Sequence, residues 1–119
     1  MVISSLQALL ADFAHERDWG QFHTPKNLAM ALVGEAGELA AEFQWLTPED
    51  SARVMADPHR AEAVRQEMAD VFSYLLRLAD VLDVDLDQAL RDKVELNRKR
   101  YPTEHARGSS AKYTAFEQP

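Results

Sequence analysis

Apolar residues recur at helical spacing along most of the chain, and turn signals divide the pattern into four or five helices. Ser4 with Gln7 three residues on resembles a capping box, so the first helix is predicted to run from there to about Arg17. Three more helices are predicted to start where an N-cap residue precedes proline, at Thr24-Pro25, Thr47-Pro48 and Asp57-Pro58.

The ends of these helices follow from the same signals. The second helix is predicted to extend to about Trp45, the short third to Met55 and the long fourth to Leu82. A last helix, capped by Asp85, is predicted to run to Arg100, where Tyr101-Pro102 stops it. No segment alternates apolar and polar residues as a strand does, so the predicted fold class is all-α: a bundle of four to five helices.

The second helix carries acidic residues where a core-facing helix is expected to be apolar. Glu35 falls inside its apolar stripe and Glu38 at the edge of it, and the stripe itself consists of Leu28, Leu32, Leu39 and Phe43. A carboxylate on a packing face is costly unless a cation pairs with it. The cation is supplied either by an Arg or Lys of another helix or by a metal ion.

The fourth helix repeats this feature. Glu67 and Asp70 border its predicted apolar stripe, with Tyr74 one turn further on, and the stripe consists of Val64, Met68, Val71, Leu75, Leu78 and Leu82. Two helices that each present a carboxylate pair can place four carboxylates in one seam. Hard divalent cations with oxygen ligands neutralise such a seam, and Mg²⁺ is the usual choice beside a phosphate. A di-iron site is disfavoured, because neither Glu35 nor Glu67 is followed three residues later by His.

Composition narrows the function classes. The 119 residues suffice for one core, and the formal net charge of -7 argues against a general nucleic-acid binder. The chain contains no Cys, which excludes a disulfide framework and a thiolate nucleophile. No apolar run approaches the roughly 18 residues of a membrane span and no leader pattern is evident, so we expect a cytoplasmic protein that does not bind membranes.

The last helix turns basic along one face. Leu86 and Leu90 begin a stripe that continues as Lys93, Asn97 and Arg100. A face that changes from apolar to cationic indicates a pocket for anions, although basic residues also suit the C-terminal end of a helix dipole.

Five separated blocks together resemble the MazG-like all-α NTP pyrophosphatases, and among them most closely the dCTP pyrophosphatases. The blocks are residues 16–23 (ERDWGQFH), 34–39 (GEAGEL), 43–45 (FQW), 67–71 (EMADV) and 97–102 (NRKRYP). The resemblance implies a catalytic domain over residues 1–102. The polar stretch over 103–119, with Gly108-Ser109-Ser110 in its middle, is predicted to be a tail that is flexible or lies against a partner.

The resemblance also implies an activity and a set of site residues. It implies Mg²⁺-dependent hydrolysis of a (deoxy)nucleoside triphosphate to the monophosphate and pyrophosphate as nucleotide-pool house-cleaning, with Mn²⁺ able to replace Mg²⁺. The metal ligands it implies are Glu35, Glu38, Glu67 and Asp70. Residues around the nucleoside would be Trp19, His23, Trp45 and Tyr74, and those near the phosphates Lys93, Asn97 and Arg100. Of the carboxylates, Glu38 is our choice as the base that accepts a proton from water.

Two positions depart from the family pattern. Many relatives have a second Glu directly before the first ligand, where this chain has Gly34, and vertebrate dCTP enzymes have a His where this chain has Leu10. The resemblance implies a preference for deoxypyrimidines, with dCTP first. Because an apolar Leu cannot hydrogen-bond a base, we expect the selectivity among them to be modest. The alternative function is a non-catalytic helical module that binds a nucleotide or a partner.

Oligomeric state gives the first prediction. A chain of 119 residues has little room to bury Trp19, Phe22 and Trp45 and also enclose a nucleotide. The family forms homodimers or dimers of dimers with the site where subunits meet, so we predict at least an obligate homodimer and expect a homotetramer. Sedimentation velocity checks this, and a stable monomer with full activity would contradict it.

Overall fold

The computed structural model describes residues 2–116, including all their side chains except those of Tyr113 and Phe116. This part of the chain is all-α and contains no strand. Its α-helices are α1 (Val2–Glu16), α2 (Pro25–Ala41), α3 (Pro48–Ser51), α4 (Pro58–Val81), α5 (Leu86–Arg100) and α6 (Thr103–Ala106). Short 3₁₀ turns lie at Gly20–Phe22, Val54–Ala56 and Tyr113–Phe116. None of the described helices is long and apolar enough to cross a membrane.

Four helix starts follow the predicted capping chemistry. The side chains of Thr24, Thr47, Asp57 and Asp85 each accept a hydrogen bond from a backbone N–H of the first helical turn, at 3.0–3.2 Å. Such a bond satisfies one of the N–H groups that have no partner within the helix. Proline follows three of these caps, where its fixed φ suits the first helical position.

Three predicted helix boundaries were wrong. The second helix ends at Ala41 and not near Trp45, and a turn follows it. The first helix begins at Val2, so Ser4 lies inside it, and the Gln7 side chain instead donates a 3.1 Å hydrogen bond to the carbonyl of Leu76 in α4. The predicted two-turn third helix is a single turn, α3, followed by a 3₁₀ turn. Buried Val54 lies in that turn.

Contacts divide the chain into two compact units, residues 1–83 and 84–119. In the first unit α4 packs mainly against α2 and also against α1. The buried apolar side chains of the described residues all lie in this unit: Ala14, Leu28, Val54, Ala61, Val64, Leu76 and Ala79. The second unit comprises α5, α6 and the 3₁₀ turn Tyr113–Phe116, which contacts α5. The proposed division between residues 1–102 and 103–119 stays a prediction.

The buried face of α4 differs in part from the predicted stripe. Met68 and Leu82 are about half exposed, whereas Ala61, Leu76 and Ala79 are buried. Alanine allows neighbouring helices to approach closely. The predicted stripe was based on large apolar residues and therefore left these alanines out. The resulting orientation turns the acidic border of α4 towards α2.

Candidate metal and nucleotide site

The seam between α2 and α4 brings three carboxylates together. Oxygen atoms of Glu35, Glu38 and Glu67 lie within 4.8 Å of one another, an arrangement that can hold a metal ion. Glu35 and Glu67 are half buried and Glu38 is exposed. The charge of Asp70 acts on both Glu35 and Glu67, so the predicted fourth carboxylate lies close to the cluster. The carboxylates of the two predicted pairs therefore lie close together in this seam.

Protein cations do not neutralise this seam in the described part of the chain. The ion pairs of α4 there join Arg65 with Glu62 and Arg77 with Asp80, neither of which includes a cluster carboxylate. One oxygen each of Glu35 and Glu67 is buried with no hydrogen-bond partner. Unpartnered buried carboxylate oxygens call for a cation, and a purely oxygen donor set fits a hard divalent ion. This favours a metal over an Arg or Lys as the counter-charge.

The crowding changes the protonation of the cluster. Burial, hydrogen bonding to Glu38 and the charges of Glu38, Asp70 and Glu67 together raise the pKa of Glu35 to about 7, with burial as the largest cause. Burial also raises the pKa of Glu67, with hydrogen bonding to Glu38 and the charges of Glu38, Asp70 and Glu42 adding to it. Carboxyl groups that share a site resist ionising together, because their negative charges repel one another. A bound cation would relieve this repulsion.

A pocket of about 280 Å³ adjoins this cluster in the first unit. Asp70 belongs to its wall, which connects the pocket with the acidic seam, and further lining residues are Leu10, Trp19, His23, Tyr74 and Arg77. Three of the four residues predicted around the nucleoside thus line one cavity. Its flat aromatic faces are suited to stacking against a base.

Trp19 reaches the pocket because α1 ends in a left-handed turn. Asp18, which follows the helix, has a φ of 54°. The N–H of Asp18 donates to the carbonyl of His15, and the N–H of Trp19 donates to the carbonyl of Ala14 at 2.9 Å. This pair of bonds is a Schellman motif, which usually uses Gly and occasionally a short polar residue. The indole then packs edge-on against Phe13, with ring centroids 5.6 Å apart.

His23 is held from the other end of the same connector. Its N–H bonds to the carbonyl of Gly20, and the next residue, Thr24, caps α2. The side chain of Asn27 in α2 donates to the carbonyl of Phe22 at 3.0 Å, which fixes the connector to the helix. The imidazole is half buried and accepts a hydrogen bond from Arg77.

The other predicted site residues lie elsewhere in the chain. Trp45 is 89% exposed and lines a separate groove with Glu42 and Arg60. Lys93, Asn97 and Arg100 belong to α5 in the second unit, where Asn97 and Arg100 are half buried. The roles of Trp45 with the base and of these three with phosphate stay predictions. Gly34 has open space around the position of a Cβ atom, so the missing second Glu has no steric cause.

Sequence reasoning missed Arg77. It lies three residues after Tyr74 and seven after Asp70, so helical spacing places it on the face of α4 that lines the pocket. That spacing could have identified it, but a lone Arg near the end of a long helix is usually a surface residue.

Comparison with known proteins identifies the family of this helical acidic site. The family model described as MazG-like matches residues 31–116, and the chain belongs to the MazG-like family. The solved structure of a pyrophosphatase from Archaeoglobus fulgidus DSM 4304 is similar, with a TM-score of 0.79 and 36% sequence identity. The similarity covers 86% of this chain and 94% of that one.

Named relatives are similar over nearly the whole chain. The dCTP pyrophosphatase 1 of Homo sapiens is 47% identical and that of Bos taurus 46% identical, each over 112 residues that make up 94% of this chain. The matched region spans 66% of the length of either relative.

The raised pKa of Glu35 predicts how the metal-free protein responds to pH. The group holds its proton up to about pH 7 when folded but only to about 4.5 when unfolded, so the folded state binds more protons between these values. This contribution to stability is complete at low pH and is lost as pH rises through about 7. In chelator, the melting temperature of the wild type should therefore fall more steeply with pH than that of Glu35→Gln.

Thermal melts in chelator across about pH 5 to 8 check this prediction. The matched control is Glu62→Gln, an exposed carboxylate of α4 paired with Arg65, which should keep the wild-type slope. Divalent ions should restore the melting temperature of the wild type at high pH. Equal slopes in the wild type and Glu35→Gln would contradict the prediction, and a lower melting temperature of Glu35→Gln near pH 8 would favour pairing with a protein cation.

Proposed function

We propose that this protein is a Mg²⁺-dependent nucleoside triphosphate pyrophosphohydrolase that cleaves dCTP to dCMP and pyrophosphate. The observation that carries the proposal is an acidic seam that no cation among residues 2–116 neutralises, beside a pocket of aromatic residues. Membership of the MazG-like family and similarity to dCTP pyrophosphatases support it. The physiological role that fits this reaction is removal of excess or unwanted nucleotides.

The acidic residues would hold Mg²⁺, for which their oxygen donors are suited. The ligands would be Glu35, Glu38, Glu67 and Asp70, and the ion supplies positive charge to the phosphate oxygens at the bond to be broken. Glu38 is the exposed member of the cluster, so water reaches it most easily. We assign it the role of accepting the proton from the attacking water, which requires a base within hydrogen-bond reach.

The remaining residues would bind and orient the substrate. The rings of Trp19 and Tyr74 offer faces for the base, and stacking of this kind contributes roughly 1–3 kcal/mol per base. We assign Lys93, Asn97 and Arg100 to the phosphates, because they share one face of α5 and two of them are basic. In-line hydrolysis needs such positioning of the leaving group more than it needs a protein nucleophile.

A homo-oligomer is part of the proposal. Exposed apolar side chains on α2 and α4 include Met30, Val33, Met68 and Phe72, each at least 45% exposed. Apolar exposure on two packed helices is typical of a surface that a second subunit covers. Trp45, which lies outside the pocket of its own chain, would act on the base of a neighbouring subunit.

Loss of a carboxylate tests the catalytic assignment. Glu38→Gln and Asp70→Asn should each lower pyrophosphate release with Mg²⁺ by roughly 10²–10⁴-fold or more. Both variants remove a charged ligand, and Glu38→Gln also removes the proton acceptor. Helical circular dichroism should stay unchanged. The control Glu62→Gln should retain full activity, and retained activity in either site variant would refute its assignment.

Base choice is tested with the four dNTPs. We expect dCTP to have the highest kcat/KM, with a preference over dUTP or dTTP below about 10⁴-fold, the level reached by sites built wholly around buried hydrogen bonds. A purine substrate at the top would contradict the assignment of the pocket. Binding of nucleotides without any pyrophosphate release would favour the non-catalytic module, the second candidate.

A further inference from the structure

Arg77 is a half-buried cation in the wall of the nucleotide pocket, and its guanidinium is fixed at two points. Its side chain is 17% exposed. Nε donates a 3.1 Å hydrogen bond to Nδ1 of His23, and Nη1 lies 3.5 Å from an oxygen of Asp80. The first contact joins residues 54 positions apart and links the connector to α4.

The bond between Arg77 and His23 determines the tautomer of the imidazole. An arginine is always protonated and can only donate, so Nδ1 of His23 must be the acceptor and carries no proton. The proton of the neutral ring is then on Nε2. His23 therefore offers an N–H donor to whatever occupies the pocket, and not an acceptor.

The surroundings of His23 also keep the ring neutral. Burial lowers the pKa of His23, and the positive charge of Arg77 lowers it further. A neutral ring with a fixed tautomer reads hydrogen-bond acceptors on a ligand, whereas a ring free to change tautomer accepts either kind of partner. Leu10 on the pocket wall adds no polar group.

Arg77 itself also lines the pocket. Its Nε and Nη1 are engaged as above, so the guanidinium that orients His23 is itself held on α4. The salt bridge to Asp80 alone does not account for this arrangement, because a helical i, i+3 pair with a 40% exposed carboxylate contributes little to stability. The planar fork of the guanidinium is suited to orienting one group while it binds another.

We propose that Arg77 is a positioning residue that fixes His23 as the Nε2–H tautomer and so makes the ring a donor to the base. A donor of fixed tautomer matches the acceptor that cytosine presents at N3 of its pairing edge. Uracil and thymine carry an N–H at position 3, which would face a donor with a donor and leave both unpaired. This inference rests on the proposed function, because it takes the pocket to be the base site.

The tautomer is measured directly on the protein without turnover. ¹⁵N NMR of the imidazole should show His23 of the wild type as the Nε2–H form near neutral pH. In Arg77→Met the signal of a single Nε2–H form should become the averaged signal of a ring that exchanges between both tautomers, because no donor holds Nδ1. The matched control is Arg65→Met, which removes a charge from the same helix at an exposed ion pair and should leave the signal unchanged.

Specificity is measured as the ratio of kcat/KM for dCTP to that for dTTP. Arg77→Met should lower this ratio by about tenfold or more, which is the discrimination lost when a donor of fixed tautomer no longer faces its acceptor. Arg77→Lys keeps the charge but not the planar fork, and its ratio should also fall. Arg65→Met should keep the wild-type ratio.

Each result supports or overturns the inference. An Nδ1–H tautomer in the wild type overturns it even if every Arg77 variant fails to fold. An unchanged dCTP to dTTP ratio in folded Arg77→Met overturns it as well. If the wild type releases no pyrophosphate, the proposed function fails, and calorimetric affinities for dCMP and dTMP then replace the kinetic ratio. A preference for dCMP lost in Arg77→Met would support the inference, and equal affinities in the wild type would overturn it.

Discussion

Mutual repulsion of carboxylates in the seam between α2 and α4 is the constraint on which the rest of the site depends. Glu35, Glu38 and Glu67 place oxygens within 4.8 Å of one another, and two of these oxygens are buried without a partner. A fold that aimed only at stability would pair or replace them, because uncompensated buried charge is destabilising. The arrangement is maintained because packing of α2 on α4 overrides the repulsion. The cation of the proposed site would convert this unfavourable contact into ligation.

Local backbone chemistry sets the position of everything around that seam. Thr24 and Asp57 cap α2 and α4, so each helix begins at a fixed residue and its acidic positions face the other helix. Asp18 turns the chain after α1 and carries Trp19 to the pocket. The connector is only a few residues long, yet it joins two helices, forms one wall of the cavity and contributes His23. The positions of the residues that line the pocket thus depend on caps and turns more than on the large apolar residues.

The sequence was most informative where physical chemistry is local. Four helix starts were predicted because Thr or Asp before the first turn has one dominant use, and the carboxylate pairs were predicted because acid on a packing face is rare. Arg77 was not predicted, because its contact with His23 joins residues 54 positions apart and requires knowledge of how α4 is rotated. The same rotation explains Met68, which the pattern placed in the core and the packing of alanines leaves exposed. Pairing between distant elements decides such positions, and a single sequence does not encode it in any short window.

Gly34 and Gly37 flank the first ligand of α2, and neither has a neighbouring atom that a Cβ would contact. Glycine within a helix costs roughly 0.5–1 kcal/mol relative to alanine, so the turn that carries the ligands is intrinsically the weakest part of the helix. Because a bound ion stabilises whichever conformation holds it, occupancy of the site and order of this turn are thermodynamically linked. An ion held by the proposed ligands would therefore fix the backbone of this turn of α2 as well as neutralise its charge.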